Sequence, residues 1–213
     1  MQEQKPYRIL FQGDSITDVG RNRSDPKSMG QGYPVMIAGE LGLHSPGKYE
    51  FFNRGIGGDR IVDLVARFGR DFVHLQPDLI SILIGVNDVW HELDVKNGVD
   101  EGRFRRQYRA LLEDLFTALH DPSPKIILME PFFLPGRATE PAIDYFREEV
   151  PKRAAVVREL ANEFGLPCID LQARFDEATK LCPNEYWLSD GVHPTPAGHR
   201  MIAEEWLKVF KKL

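Results

Sequence analysis

A chain of 213 residues, 42% hydrophobic and 28% charged, is long enough for a substantial core and has an ordinary globular composition. Its net charge of −5 argues against nucleic acid as a partner, because nucleic-acid modules carry a basic field. No apolar run approaches the ~20 residues that cross a bilayer. The polar start Met-Gln-Glu-Gln-Lys-Pro lacks a signal-peptide pattern, so the expectation is one cytoplasmic domain over residues 1–213, with no membrane partner. Cys168 and Cys182 lie outside any motif and read as free thiols.

The first predicted strand is the run Ile9-Leu10-Phe11, which breaks into Gln12-Gly13-Asp14-Ser15-Ile16-Thr17. A buried strand ending in Gly-Asp-Ser puts a hydroxyl where ligands collect in open α/β sheets, outside the strand carboxyl ends. The plainer alternative is that Ser15 merely caps the helix after it. A long polar loop, 18–32, follows, and then a helix over Tyr33–Leu43 with Pro34 tolerated in its first turn. Tyr49–Asn53 reads as the second strand, ending in Arg54-Gly55-Ile56-Gly57-Gly58-Asp59. Ile61, Leu64, Val65, Phe68 and Phe72 recur at helical spacing after it.

Leu79–Ile84 is a near-continuous apolar run, the mark of a central strand covered on both faces, and it ends at Gly85-Val86-Asn87-Asp88. A well-patterned helix carries Phe104, Tyr108, Leu111, Leu115 and Leu119 on one face, and Lys125–Met129 is the fourth strand. The segment Pro131-Phe132-Phe133-Leu134 either walls a short acyl pocket or packs in the core, the simpler reading. A helix over Ile143–Phe164 is expected to kink or split at Pro151. Leu166–Leu171 is the fifth strand, and a short amphipathic segment covers Gln172–Leu181. The last helix starts near Thr195-Pro196 and buries Met201, Ile202, Trp206 and Phe210. Alternating strands and helices predict an α/β fold of three layers, α/β/α, around a five-stranded parallel sheet in flavodoxin-like order 2-1-3-4-5.

That order brings three strand ends together. The amide of Ser15, the glycine turn at Gly58 and the side-chain amide of Asn87 supply three donors aimed at one point, as an oxyanion hole requires. Each alone would read as a plain turn or strand terminator. Near the other end, Ser189-Asp190-Gly191-Val192-His193-Pro194 sets a carboxylate three residues before an imidazole. There Asp190 can reach Nδ1 and leave Nε2 of His193 free to act as general base on Ser15. His44, His74, His120 and His199 lack such company and read as surface or core residues.

These blocks, Gly13-Asp14-Ser15-Ile16, Gly58-Asp59, Gly85-Val86-Asn87-Asp88 and Asp190-Gly191-Val192-His193, make the chain resemble the SGNH hydrolases, the GDSL-type esterase superfamily, with Ile16 where the eponymous motif has leucine. The resemblance implies Ser15 as nucleophile, His193 and Asp190 completing the triad, and Ser15, Gly58 and Asn87 as oxyanion donors. The wording around the blocks, including Asp18-x-Gly20-Arg21, Asn87-Asp88-Val89-Trp90 and His193-Pro194-x-x-Ala197-Gly198-His199, is similar to intracellular acetyl-xylan esterases. What that implies is hydrolysis of O-acetyl esters on imported xylo-oligosaccharides through an acyl-serine, and a homo-oligomer in some members. Asp14, Arg21, Trp90, His91 and Trp187 are expected to contact substrate, with Asp18 and Glu92 nearby. No metal or other cofactor is called for: histidines and carboxylates are too scattered for ligand spacing, and no nucleotide-binding glycine motif occurs. The alternatives are a short-acyl or lysophospholipid esterase on the same triad, and a binding module without catalysis.

Overall fold

Five short apolar runs pair into a single parallel sheet: β1 (Tyr7–Gly13), β2 (Tyr49–Asn53), β3 (Leu79–Leu83), β4 (Lys125–Met129) and β5 (Cys168–Ile169). Their order is β2-β1-β3-β4-β5, as the alternation predicts. The structure, a computed structural model, describes residues 5–119 and 124–213; His120 lies outside them. Between and after the strands run α1 (Ser15–Asp18), α2 (Tyr33–His44), α3 (Ile61–Ala66), α4 (Phe68–Asp71), α5 (Val86–Asp94), α6 (Glu101–Ala118), α7 (Ile143–Phe164), α8 (Leu171–Ala178), α9 (Asn184–Trp187) and α10 (Pro196–Phe210). No described helix is long and apolar enough to cross a membrane.

Strand alternation sorts the core into two layers. Ile9, Phe11, Leu79, Leu83, Ile127 and Met129 face one side with Trp206 and Ile202 of α10. Leu10, Ile80, Ile82, Ile126 and Leu128 face the other with Leu64 of α3 and Leu112 of α6. Ser81, the polar residue within β3, is satisfied by the Trp206 indole N–H at 3.0 Å. Gly13 pairs with Leu83, so the turns leaving β1 and β3 emerge side by side.

Several elements differ from expectation for local reasons. The helical pattern after Asp59 breaks into α3, α4 and a 3₁₀ turn over Val73–Leu75, although Ile61, Leu64 and Phe72 are all buried as their spacing predicts. The break falls at Arg67, whose guanidinium is drawn inward to Asp59 and Asp71. Helix α7 runs through Pro151 without splitting. Buried Phe146, Val150, Val157 and Leu160 lie on both sides of the proline and offset its cost of about 3 kcal/mol. The fifth strand shrinks to two residues because Asp170 caps α8, accepting from the Ala173 amide at 2.9 Å. Phe210 is half-buried, stacked on Trp206 at 5.1 Å. Phe132, Phe133 and Leu134 belong to the core.

Candidate active site

Gly13 ends β1 and Asp14 turns the chain, its Oδ1 accepting from the Ile16 amide at 2.9 Å. Asp14, not Ser15, is therefore the cap of α1, and the Ser15 side chain is left free for other use. At 1% exposure the Asp14 carboxyl offers no surface to a ligand, which corrects the expectation of a substrate contact there. Burial pushes its pKa up to about 7.

From 178 residues away, the His193 ring meets that serine: Ser15 Oγ and His193 Nε2 are 2.9 Å apart. The Asp190 Oδ2 lies 2.7 Å from His193 Nδ1, while its Oδ1 accepts from the amides of Val192 and His193 at 2.9 and 2.8 Å. Burial alone would raise this carboxyl, but those amides and the imidazole outweigh it and hold the pKa below its ordinary value. The loop is pinned by the 134–139 segment, where the amides of Leu134 and Ala138 donate to the carbonyls of Gly191 and Asp190, each at 2.8 Å. Gly191 must be glycine: its φ is +98° and a Cβ would sit 2.5 Å from the Leu134 carbonyl oxygen.

Three candidate donors stand at the ends of β1, β2 and β3. Ser15 opens α1, so its amide has no carbonyl four residues back within that helix. In the glycine turn, the Gly57 amide is taken by Asp18 Oδ2 at 3.0 Å and the Asp59 amide by the Ile56 carbonyl at 3.1 Å. Among the described residues no acceptor claims the Gly58 amide between them. Asn87 donates one side-chain N–H to the Asp59 carbonyl at 3.1 Å, which orients the amide and leaves its second N–H for a ligand. Asn87 and Asp88 stand in the first turn of α5, a helix missing from the sequence reading. Val86, Val89, Trp90 and Leu93, spaced i, i+3, i+4 and i+7, were the signal available for it.

Supporting groups lie beneath these donors. Arg67, 8% exposed, reaches Asp59 Oδ2 at 2.8 Å, Gln12 Oε1 at 2.7 Å and Asp71 Oδ2 at 2.9 Å, tying the glycine turn to β1. Sequence reasoning passed over it, because an arginine at helical spacing reads as surface. Asp18 holds the Gly57 amide, is itself held by Arg23 at 2.6 Å, and so braces the turn. Asp88, fully buried, accepts from the Ile61 amide at 3.1 and 3.2 Å through its two oxygens and joins α3 to α5.

Burial pushes the Asp88 carboxyl from 3.8 up to about 8. Between those values the native state keeps a proton that the unfolded chain has lost, so stability falls as pH rises through this window. Asp88→Asn, which keeps a carbonyl for Ile61, is expected to shallow the decline of Tm between about pH 5 and pH 8; thermal melts of both proteins across that range test it, and parallel curves would contradict it. Asp14 pulls in the same direction and remains in the variant.

The remaining expected contacts divide. Ser15, Asp18, Val19, Gly20, Gln31 and His193 line a depression of about 380 Å³. The Trp90 ring lies 6.1 Å from the His193 ring. His91 Nε2 would come within 4.0 Å of a Cβ on Gly58, and its buried Nδ1 has no partner among the described residues. Glu92 is instead packed against Gly98, on the far side of α5, where a Cβ would meet its own at 2.6 Å. The Arg21 guanidinium donates to the Gly55 carbonyl at 2.8 Å and faces away from the depression into a neighbouring cavity. Trp187 is half-buried, its ring edge-on to Tyr186 at 4.9 Å and its carbonyl accepting from the Thr195 amide. His199 is a core residue: burial, then His193, press its pKa down to about 4, and its Nδ1 accepts from the Tyr33 amide at 3.3 Å. Among the described residues no group of three or more potential ligands could hold a metal ion.

A hydroxyl, imidazole and carboxylate in a hydrogen-bonded chain, beside amide donors, is suited to acyl transfer. Residues 11–201 match the model of the GDSL-like lipase/acylhydrolase family. An acetylxylan esterase from Geobacillus stearothermophilus is 34% identical over 94% of this chain and 92% of its own length. A crystal structure of an acetylxylan esterase from the same organism superposes with a TM-score of 0.84 at 32% identity, covering 98% of this chain and 95% of that one. A GDSL-like lipase structure from Parabacteroides merdae reaches 0.92 at 35% identity, covering 98% and 97%. Catalytic mutants of the Geobacillus esterase with a serine, an aspartate or a histidine changed to alanine also match.

Proposed function

The chain belongs to the GDSL-like lipase/acylhydrolase family of carboxylic ester hydrolases, and from that premise we propose that it removes O-acetyl groups from carbohydrates, acetylated xylo-oligosaccharides foremost, as a serine esterase. The observation that carries this reading is the 2.9 Å approach of Ser15 Oγ to His193 Nε2, with Asp190 at 2.7 Å behind the ring. The whole chain, 1–213, is read as one catalytic domain. A cytoplasmic setting belongs to the same proposal and rests on two free cysteines.

In the proposed mechanism Asp190 fixes the proton on Nδ1 of His193, so Nε2 can accept the Ser15 proton as Oγ attacks the acetyl carbonyl. The carbonyl oxygen becomes an oxyanion facing the amides of Ser15 and Gly58 and the free N–H of Asn87. His193 then gives its proton to the departing sugar hydroxyl. Water repeats the sequence on the acetyl-serine, releasing acetate and restoring the hydroxyl. The depression beside Ser15, lined by Asp18, Val19, Gly20 and Gln31, is a shallow hollow of about 380 Å³, which suits a short acyl group. Trp90 supplies an indole face against which a sugar ring can pack.

Asn87→Ala removes one of three donors and is expected to lower kcat about 10²- to 10³-fold with KM little changed, since the bond is strongest to the oxyanion. Steady-state kinetics on one acetyl ester measures it. The function itself is tested by a substrate panel: acetate release from acetylated xylo-oligosaccharides against lysophospholipid and medium-chain esters. Faster turnover of either lipid-like substrate would overturn the carbohydrate assignment and leave the serine mechanism standing.

A further inference from the structure

Next to the catalytic serine, behind the glycine turn, lies a cavity of about 610 Å³ with Arg21, Arg23, Arg54 and Arg70 in its walls. The chain carries a net charge of −5, so four guanidinium groups around one hollow, against the single carboxylate of Asp71 in the same wall, run against its overall field. Two of them are already partnered by carboxylates: Arg23 by Asp18 at 2.6 Å and Arg70 by Asp71 at 2.8 Å. Arg21 stands 3.9 Å from Asp18, and its side chain is 6% exposed. Arg54 forms no ion pair among the described residues; it donates only to the carbonyls of Pro26 and Asn53, at 3.1 and 2.9 Å. Its guanidinium lies over the Phe52 ring at 5.6 Å, which holds it in place. Burial lowers the pKa of both Arg21 and Arg54, as expected of cations drawn from water without full compensation.

The cavity adjoins the site of chemistry. A Cβ placed on Gly57 would stand 3.8 Å from Ser15 Cβ and 4.0 Å from Arg23 Nη2, so serine and cavity wall flank the same residue. Gly20 lines the depression at Ser15, and Arg21, the next residue, lines the arginine cavity. Ile56 and Leu75 add apolar surface, and the volume is ample for a monosaccharide ring. Planar guanidinium forks recognise carboxylates in two-point fashion, a match a neutral hydroxyl cannot make.

We propose that this cavity binds the carboxylate of a uronic-acid residue carried by the substrate, so that the preferred ester is an acetyl group on an acidic oligosaccharide. The inference rests on the carbohydrate-acetylesterase reading for its substrate and on the cavity for its charge. Arg54 is the anchor, because it has charge to spare and no part in bracing the oxyanion turn. The uronate enters as an anion and leaves unchanged; the bond broken is still the acetyl ester at Ser15.

The test has two independent readouts. Calorimetry on the full chain at low salt compares sodium glucuronate, glucose and inorganic phosphate, with Arg54→Gln as the variant that keeps a stem over Phe52. Glucuronate is expected to bind at least 10-fold more tightly than glucose or phosphate, and Arg54→Gln to weaken it on the order of 10- to 100-fold. Kinetics then compares acetyl release from xylo-oligosaccharides with and without a glucuronate branch, and from p-nitrophenyl acetate. The branched substrate is expected to show about 10-fold higher kcat/KM through KM, an advantage lost in Arg54→Gln while p-nitrophenyl acetate turnover stays within about twofold. Should Arg54→Gln fail to fold, Arg54→Lys, which keeps the charge and loses the two-point fork, carries the same comparison. Glucuronate binding no tighter than glucose, phosphate preferred over glucuronate, or binding insensitive to the variants would overturn the inference. Failure to deacetylate either oligosaccharide would overturn the carbohydrate reading instead, and glucuronate binding would still decide the cavity.

Discussion

Ser15→Ala is expected to lower kcat on any ester substrate by about 10⁶-fold while leaving Tm within a degree or two of the parent. The size follows from the loss of the nucleophile itself, without which His193 has no hydroxyl to deprotonate and no acyl intermediate can form. The stability expectation follows from the surroundings. The α1 turn is capped by Asp14 through the Ile16 amide, and the serine hydroxyl's bond is to a ring that Asp190 holds independently. Residual catalysis from the amide donors keeps the variant above the uncatalysed rate. Single-turnover acetate release together with a thermal melt measures both quantities; a variant that keeps more than a tenth of parental turnover would remove Ser15 from the mechanism.

Asp190→Asn should cost about 10⁴-fold in kcat with the loop intact, because its two oxygens do different work. Oδ1 accepts from the amides of Val192 and His193, and an asparagine oxygen can replace it there. Oδ2 faces Nδ1 of His193 at 2.7 Å, and an NH₂ group in that place would donate where the ring must also donate. The ring would then move its proton to Nε2, presenting a donor to Ser15 in place of the acceptor that catalysis needs. Asp190→Ala, by contrast, strips both functions and should lower Tm as well. Kinetics and melts on the pair separate tautomer control from loop support. Equal kcat in Asp190→Asn and the parent would show that the carboxylate only shapes the loop.

The proposed oxyanion donor Gly58 and the arginine cavity meet at one strip of chain. Asp18 braces the Gly57 amide, Arg23 holds Asp18, and Arg23 is also in the cavity wall. An anion seated there would bear on the same turn that carries Gly58, a donor of the proposed mechanism. Arg67 fixes that turn from below, through Asp59, Gln12 and Asp71.

Where the sequence was legible, its signals were local in origin. β3 announced itself by the near-continuous apolar run Leu79–Ile84, and α6 by an apolar stripe from Phe104 to Leu119. The Asp190–His193 pairing was readable because three residues of separation with a glycine between allow few geometries. Burial patterns failed at α5, where Gly85-Val86-Asn87-Asp88 reads as the end of a strand and also begins a helix. They failed too at Asp14, since a carboxylate next to a nucleophile looks like a ligand contact until its burial and its cap are seen.

By itself, then, the order of amino acids determined the parallel sheet and its crossover sequence, since period-two and period-3.6 burial and the turn residues between them are properties of short stretches. It also singled out Ser15, Asp190 and His193, which the fold brings together, because each sits at a strand end or in a tight bend whose backbone demands are local. Only the tertiary structure decided which charged groups are struts and which are free. Asp14, Asp88 and Arg67 are drawn inside and consumed, Asp14 by the nearby Ile16 amide, Asp88 by the Ile61 amide of another helix and Arg67 by Gln12 of β1 as well as Asp59 and Asp71, while Arg54 forms no ion pair among the described residues. That distinction depends on which partners the folded chain brings within hydrogen-bond reach, and distances between remote residues are written in no single stretch of it.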